Sequence, residues 1–162
     1  MKPTLYIMCG LAFSGKSTLA KRIAKHLNIP RVSTDEMFEE LKLESDNYEQ
    51  WLSLLEISKQ RIIHFLADSQ SVVYDHPNVK LEERNKLREI AQKAGAKAVV
   101  IYLQTPDEEI ARRHQRNKET KERHDPKQEH FDAVKRDFQT PTSKEGDVLF
   151  VIPGQDIEGL FQ

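Results

Sequence analysis

Residues 10 to 18 read GLAFSGKST, two glycines five apart followed at once by a lysine, a serine and a threonine. Gly10-x-x-x-x-Gly15-Lys16-Ser17 is an arrangement that cradles phosphates, and each residue type has a physical reason to be there. Glycine lets the backbone turn sharply and approach a ligand, so the N–H groups of Ala12, Phe13, Ser14 and Gly15 can converge on one anion. A helix starting near Lys16, with Thr18 in its first turn, adds the positive end of its dipole. Lys16 neutralises β- and γ-phosphate charge, and the Ser17 hydroxyl suits Mg²⁺. With glycine at about 7% of residues, a chance match in a chain this size falls below roughly one per cent. The cradle calls for a nucleoside triphosphate, taken as ATP, together with Mg²⁺.

The cradle alone fits hydrolysis, transfer and plain binding equally. Transfer also needs a carboxylate near the metal, a base for the acceptor and cations over the moving charge. Asp75 closes the apolar run SVVYD, where it could hold Mg²⁺ directly or through a water. Asp35 closes RVSTD just before a helix, where it could take the proton of an attacking hydroxyl. One carboxylate could serve both roles. The cations come from IARRHQRNKETKERH, residues 110–124. Arg112 and Arg116 lie four apart on one helix face, with Arg123 further along a basic connector suited to a mobile lid. Arg113, Lys118 and Lys121 read as solvated, and His76 and His124 as bystanders.

Those residues need elements to hold them, and the chain alternates short apolar runs with amphipathic stretches, the pattern of βα units around a parallel sheet. Strands are expected over 4–9, 31–34, 71–75, 96–104 and 148–152, and helices over 17–27, 47–68 and 81–95. Trp51 belongs to the core side of the second of these helices. Asp46 followed by Glu49 offers that helix a capping box, and Gly95 ends the next one. Thr105-Pro106-Asp107-Glu108 supplies an N-cap, a proline at N1 and a carboxylate at N3. Asp125-Pro126-Lys127-Gln128 repeats the device before a last helix over 130–138.

Composition bounds the rest. The chain has 162 residues, 38% hydrophobic and 31% charged, with a formal net charge of -1, which fits one polar globular domain and no general attraction to nucleic acid or membrane. No apolar run approaches the roughly 20 residues of a membrane span. The one cysteine, Cys9, ends an apolar run and reads as a buried, inert thiol. A cytoplasmic, disulfide-free domain is the expectation.

Taken together, GLAFSGKST, VSTDEMF, VVYDHPN, the arginine helix and RHDPKQEHFDAVKRDF resemble the small P-loop kinases that include polynucleotide 5′-kinase domains, zeta-toxin-like kinases and chloramphenicol phosphotransferase. The resemblance implies an α/β three-layer P-loop NTPase fold. Its five-stranded parallel sheet would run in the order 2-3-1-4-5, with a short basic lid over about residues 112–128. It also implies Asp35 as base towards a hydroxyl acceptor, with Arg112, Arg116 and Arg123 as the lid arginines. Arg112 is assigned to the nucleotide; Lys16, Arg116 and Arg123 to the transferring phosphoryl group.

Polynucleotide kinases of this type carry an arginine three residues after the aspartate, where this chain has Phe38. The neighbourhood is acidic, with Asp35, Glu36, Glu39, Glu40, Glu44, Asp46 and Glu49 set against Lys42 alone. Such a rim repels a polyanionic strand, so the expected acceptor is a neutral or cationic small molecule, and Ala12 and Phe13 point to a less polar one. The alternatives are a polynucleotide 5′-hydroxyl kinase and a nucleotide-responsive binding module without transfer activity.

Overall fold

The strands that lead into the expected site residues lie side by side in one all-parallel sheet, two of them at or next to its centre and one at its edge. A computed structural model describes residues 1–161. Its strands are β1 (Thr4–Cys9), β2 (Arg31–Ser33), β3 (Val72–Asp75), β4 (Lys97–Leu103) and β5 (Val148–Val151), in the order β2-β3-β1-β4-β5. The expected sheet is therefore the observed one. In register, Ile7 of β1 faces Tyr74 and Val100, and Ser33 of β2 faces Asp75. The end of β1 thus delivers the phosphate loop beside the carboxylate that ends β3.

Period-two alternation sends β1 into two cores. Leu5, Ile7 and Cys9 pack with Leu54, Ile62 and Leu66 of α3 (Tyr48–Ala67) and with Leu87 and Ala91 of α4 (Leu81–Lys93). On the other face Met8 packs with Leu19, Ala20 and Ile23 of α1 (Lys16–Leu27) and with Ile157 near the C-terminus. A third cluster is built from segments that follow the carboxyl ends of the inner strands. There Leu11 and Phe13 of the phosphate loop meet Val79, Ile110 of α5 (Asp107–Thr120) and Phe131 of α6 (Gln128–Arg136). Trp51 packs against the first core, as its spacing predicts. Burial pushes the Cys9 thiol up to about 12, so it stays protonated and inert.

Several helix starts differ from those read off the sequence, each for a local reason. RVST is shorter as a strand, because Ser33 caps α2 (Thr34–Glu40) by accepting from the Glu36 N–H at 3.4 Å, and Thr34 already belongs to the helix. Asn47, not Asp46, caps α3, its Oδ1 accepting from the Gln50 N–H at 3.0 Å. Asp46 instead pairs with Lys127 at 2.7 Å, across from the start of α6. Pro106 rather than Thr105 is the N-cap of α5, and Lys127 rather than Asp125 that of α6, which runs two residues earlier than expected at both ends. Thr105 and Asp125 are occupied by tertiary partners described below. Gly95 does follow the C-cap of α4 in the left-handed region, at φ 68°. Among the described residues no helix is long and apolar enough to cross a membrane.

Candidate active site

Two glycines shape the phosphate loop by what they leave out. A Cβ on Gly10 would come within 2.9 Å of the Ser14 Oγ, and one on Gly15, at φ 92°, within 2.9 Å of the Arg113 guanidinium. The loop is also fastened from outside. Gly10 N–H donates to the Pro77 carbonyl at 3.1 Å, and the Thr105 hydroxyl donates to the Ser14 carbonyl at 2.6 Å. Gly15 is the N-cap of α1 and no side chain competes for that helix's first N–H groups. They stay free for an anion.

Phe13 corrects one expectation. It adopts φ 65° and turns its ring inward, 6% exposed, stacking on His114 at 4.6 Å and meeting Phe131 at 6.4 Å. Ala12 packs against the same cluster. The loop's apolar side chains therefore build the third core instead of lining an acceptor site, and only their backbone serves the cradle. The Ser14 hydroxyl is buried and has no hydrogen-bond partner.

Asp75 is the hub. Its Oδ1 accepts from Lys16 Nζ at 3.0 Å and from the Ser17 hydroxyl at 3.3 Å. Its Oδ2 accepts from Arg31 at 2.6 Å. Burial drives the carboxyl pKa up, but the Lys16 charge and hydrogen bond, helped by Arg31 and Ser17, outweigh it and leave the pKa lowered. Arg31 also reaches Glu36, which faces Lys21 at 3.8 Å. Hard oxygens from Ser17 and Asp75 beside a phosphate cradle form a donor set that fits Mg²⁺. Among the described residues no group of three His, Cys, Asp or Glu gathers as a metal cage, and Mg²⁺ in phosphate sites takes one or two protein ligands and completes its shell with phosphate and water.

Asp35 stands in the first turn of α2, exposed, with no hydrogen-bond or ion-pair partner among the described residues. Its neighbour Thr34 meets His76 Nδ1 at 2.9 Å, which ties the start of α2 to the residue after Asp75. His76 lies over Tyr74 at 5.6 Å and 20°, and beside Trp51 at 6.0 Å. Burial, then the Lys16 charge, lowers its pKa to about 3 against the pull of Asp75, so His76 is neutral at any physiological pH. Read from sequence as a bystander, it is a neutral hydrogen-bonding link between the start of α2 and the end of β3.

The arginines divide differently from the sequence assignment. Arg112 is turned onto Glu109 of its own helix through two hydrogen bonds of 2.8 Å and does not reach the loop. Arg113, expected to be solvated, contacts Glu109 at 2.6 Å and the Phe13 carbonyl at 3.4 Å, and it is the arginine that touches the phosphate loop. Hydrogen bonds from both arginines hold Glu109 down at about 2. Arg116 is exposed and without a partner among the described residues. Arg123 is exposed too, but Asn117 grips its backbone twice, accepting from the Arg123 N–H at 2.9 Å and donating to its carbonyl at 3.0 Å.

Two further residues escaped sequence reading. Arg31 opens a three-residue strand, and only the pairing of β2 with β3 brings it to Asp75. Arg84 is 1% exposed, donates to the carbonyls of Asn78, Val79 and Gln139, and pairs with Glu145 at 2.8 Å. It clamps the turn after β3, where Asn78, at φ 47°, donates to the carbonyls of Met8 and His76. A strand that begins on arginine was the available signal for Arg31. Helical periodicity puts Arg84 on the same face as the buried Leu87 and Ala91, and a charge on that face was the available signal.

Comparison with known proteins agrees with this fold. The sequence pattern of the AAA_33 family, an AAA domain, matches residues 5–141. Cytidylate kinase of Desulforamulus reducens is 33% identical over an alignment of 105 residues that covers 59% of this chain and 47% of that protein. The chain thus spans about half the length of the curated relative it matches. Kti12 of Chaetomium thermophilum, solved in complex with ADP-AlF3, superposes with a TM-score of 0.76 at 15% identity, covering 94% of this chain and 90% of that one. A gluconokinase from Sinorhizobium meliloti 1021 gives 0.64 at 21% identity, covering 98% and 87%. At these identities the structures establish the fold, which is that of the P-loop kinases.

Proposed function

Because the chain belongs to the AAA domain family and has the P-loop kinase fold, we propose that it is an ATP- and Mg²⁺-dependent phosphotransferase acting on a hydroxyl of a small-molecule acceptor. The observation that carries the reading is the meeting of Lys16, Ser17 and Asp75 at one carboxylate oxygen, with Asp35 left unpartnered nearby on the neighbouring strand's helix. In this reading residues 1–162 form one kinase domain, with residues 112–128 as its lid, and it works in the cytoplasm.

Backbone N–H groups of the loop from Ala12 on and of the first turn of α1 bind the triphosphate, and Lys16 leaves Asp75 to take up β- and γ-phosphate charge. Ser17 and Asp75 hold Mg²⁺, which when bound offsets charge on the phosphate oxygens. Asp35 orients the acceptor hydroxyl and accepts its proton. Arg116 and Arg123 close over the moving phosphoryl group, and Arg113 steadies the loop. The acceptor side keeps its acidic character: Glu36, Glu40 and Asp46 are paired with basic residues, but Glu39, Glu44 and Glu49 are exposed and unpaired among the described residues. That balance favours a neutral or cationic acceptor over a nucleic acid strand.

The test is an ADP-release screen over hydroxyl-bearing metabolites, with gluconate, cytidylate and a 5′-hydroxyl oligonucleotide included and Lys16→Ala as control. Acceptor-dependent ADP release with a small alcohol, abolished by Lys16→Ala, is the expected result. Release with the oligonucleotide alone, or transfer to the phosphate of cytidylate, overturns the acceptor class. Tight nucleotide binding with no transfer to any acceptor overturns the enzyme in favour of a binding module.

A further inference from the structure

One side chain touches the phosphate loop, the last helix and the connector between the last two helices at once. His114 sits in the second turn of α5 and is 5% exposed. Its ring lies flat on Phe13 of the phosphate loop, with centroids 4.6 Å apart and planes at 14°. Phe131 of α6 closes against the ring at 4.8 Å and 48°. Its Nε2 donates to Asp125 Oδ1 at 2.9 Å. Asp125 lies two residues from Arg123, whose backbone is held by Asn117, one turn along α5 from His114.

We propose that His114 is a positioning residue that couples occupancy of the phosphate loop to the placement of the connector carrying Arg123. The inference rests on the nucleotide-binding reading above and extends it to a residue that would touch neither nucleotide nor acceptor.

The reasoning runs through Phe13. A bulky residue at φ 65° is unfavourable by itself and persists only where its surroundings reward it. Phosphates bound on the loop's N–H groups would fix the same backbone conformation. Anion binding and the Phe13–His114 stack therefore favour one state of the loop. A seated His114 ring in turn presents Nε2 to Asp125 and holds the connector down. Coupling of this kind is reciprocal: whatever the nucleotide does for the connector, the ordered connector does for nucleotide affinity.

The experiment uses the full chain and needs no acceptor. Hydrogen exchange is followed with and without the Mg²⁺ complex of a non-hydrolysable ATP analogue, and the analogue's affinity is measured by calorimetry. Wild type, His114→Phe and Asp125→Ala are compared. The first variant keeps the aromatic stack and loses the link to Asp125; the second alters a side chain that is 41% exposed and folds regardless.

In the wild type the analogue slows exchange over residues 119–128 by about tenfold, within the usual range of coupling between sites. Both variants lose most of that slowing, bind the analogue more weakly by no more than about the same factor, and exchange normally in β1 and β3. A purely structural role would leave the nucleotide response of the connector in place. Retained slowing in both variants overturns the proposal, as does a wild type that binds the analogue with no change in the connector. A wild type that binds no nucleotide overturns the functional reading as well, and calorimetry alone tells these two failures apart.

Discussion

Arg31 donates to Oδ2 of Asp75 at 2.6 Å from the adjacent strand and so commits the carboxylate oxygen that faces away from the phosphate loop. The other oxygen keeps Lys16 and Ser17, the two residues of the loop proposed to handle phosphate charge and Mg²⁺. Asp75 therefore cannot rotate freely to offer both oxygens to the same ion. A single defined oxygen points into the cradle.

Replacing Arg31 by Met should cost about 3 kcal/mol, since it leaves a buried carboxylate short of a partner; urea unfolding at neutral pH measures it. The pH dependence has a definite sign. Asp75 has a lowered pKa in the folded protein, so its contribution is present at neutral pH and is lost as pH falls below the ordinary carboxylate range. The stability gap between wild type and Arg31→Met should accordingly narrow as the solution is acidified. A gap that widened would contradict the assignment.

Asp35→Ala should leave nucleotide affinity within about threefold and stability within about 0.5 kcal/mol, because the side chain is exposed and unpartnered. Transfer to the acceptor should fall by about 10²-fold or more, the usual worth of a positioned base. Calorimetry with an ATP analogue and ADP release with the identified acceptor give the two readouts. Unchanged turnover would remove Asp35 from the chemistry.

His76→Gln should flatten the loss of stability on the acid side. An unfolded histidine takes up a proton near pH 6.5 while His76 in the folded protein resists until about pH 3, so the wild type loses stability as pH falls through that interval. Between pH 6.5 and 5 the difference amounts to about 1–2 kcal/mol. Thermal melting of both proteins across that range checks it.

Arg84→Leu should be the most damaging of these substitutions, at about 3–5 kcal/mol, because it takes the buried charge away from Glu145 and a donor away from three carbonyl groups. Glu145 feels burial first, which raises its pKa, but the Arg84 hydrogen bond, the Thr142 N–H and Arg88 together bring it below the ordinary range. Denaturant unfolding of the variant gives the loss, which should be smaller at low pH, where Glu145 is protonated.

What the sequence made legible follows the range of the interactions. Apolar runs and their alternation located all five strands, and the spacing from Gly10 to Ser17 located the cradle, because both are local codes. Sheet order came with the resemblance and not from any pattern in the residues. Helix starts were less legible wherever a capping side chain had a better tertiary offer. Thr105 carries an N-cap chemistry and spends it on the Ser14 carbonyl, and Asp125 spends its own on His114. Arg31 acts on a partner 44 positions away in sequence and Arg84 on one 61 away, and His114 stacks on Phe13 from the far end of the chain. No window of neighbouring residues could announce those partners. Phe13 was misread for a related reason: an apolar side chain in a loop looks like a binding contact until the core beneath it is known.

The fastenings of the phosphate loop have a kinetic meaning. Pro77 grips its first glycine, Thr105 its fourth intervening residue, and an aromatic stack its middle. A chain segment held at three points has fewer alternatives to surrender when a ligand arrives, so part of the entropy of ordering it is met during folding and only the remainder, at the Phe13 stack, during binding. In the proposed reading a nucleotide meets a largely formed cradle, and what adjustment is left passes through the Phe13 stack to the connector that carries Arg123.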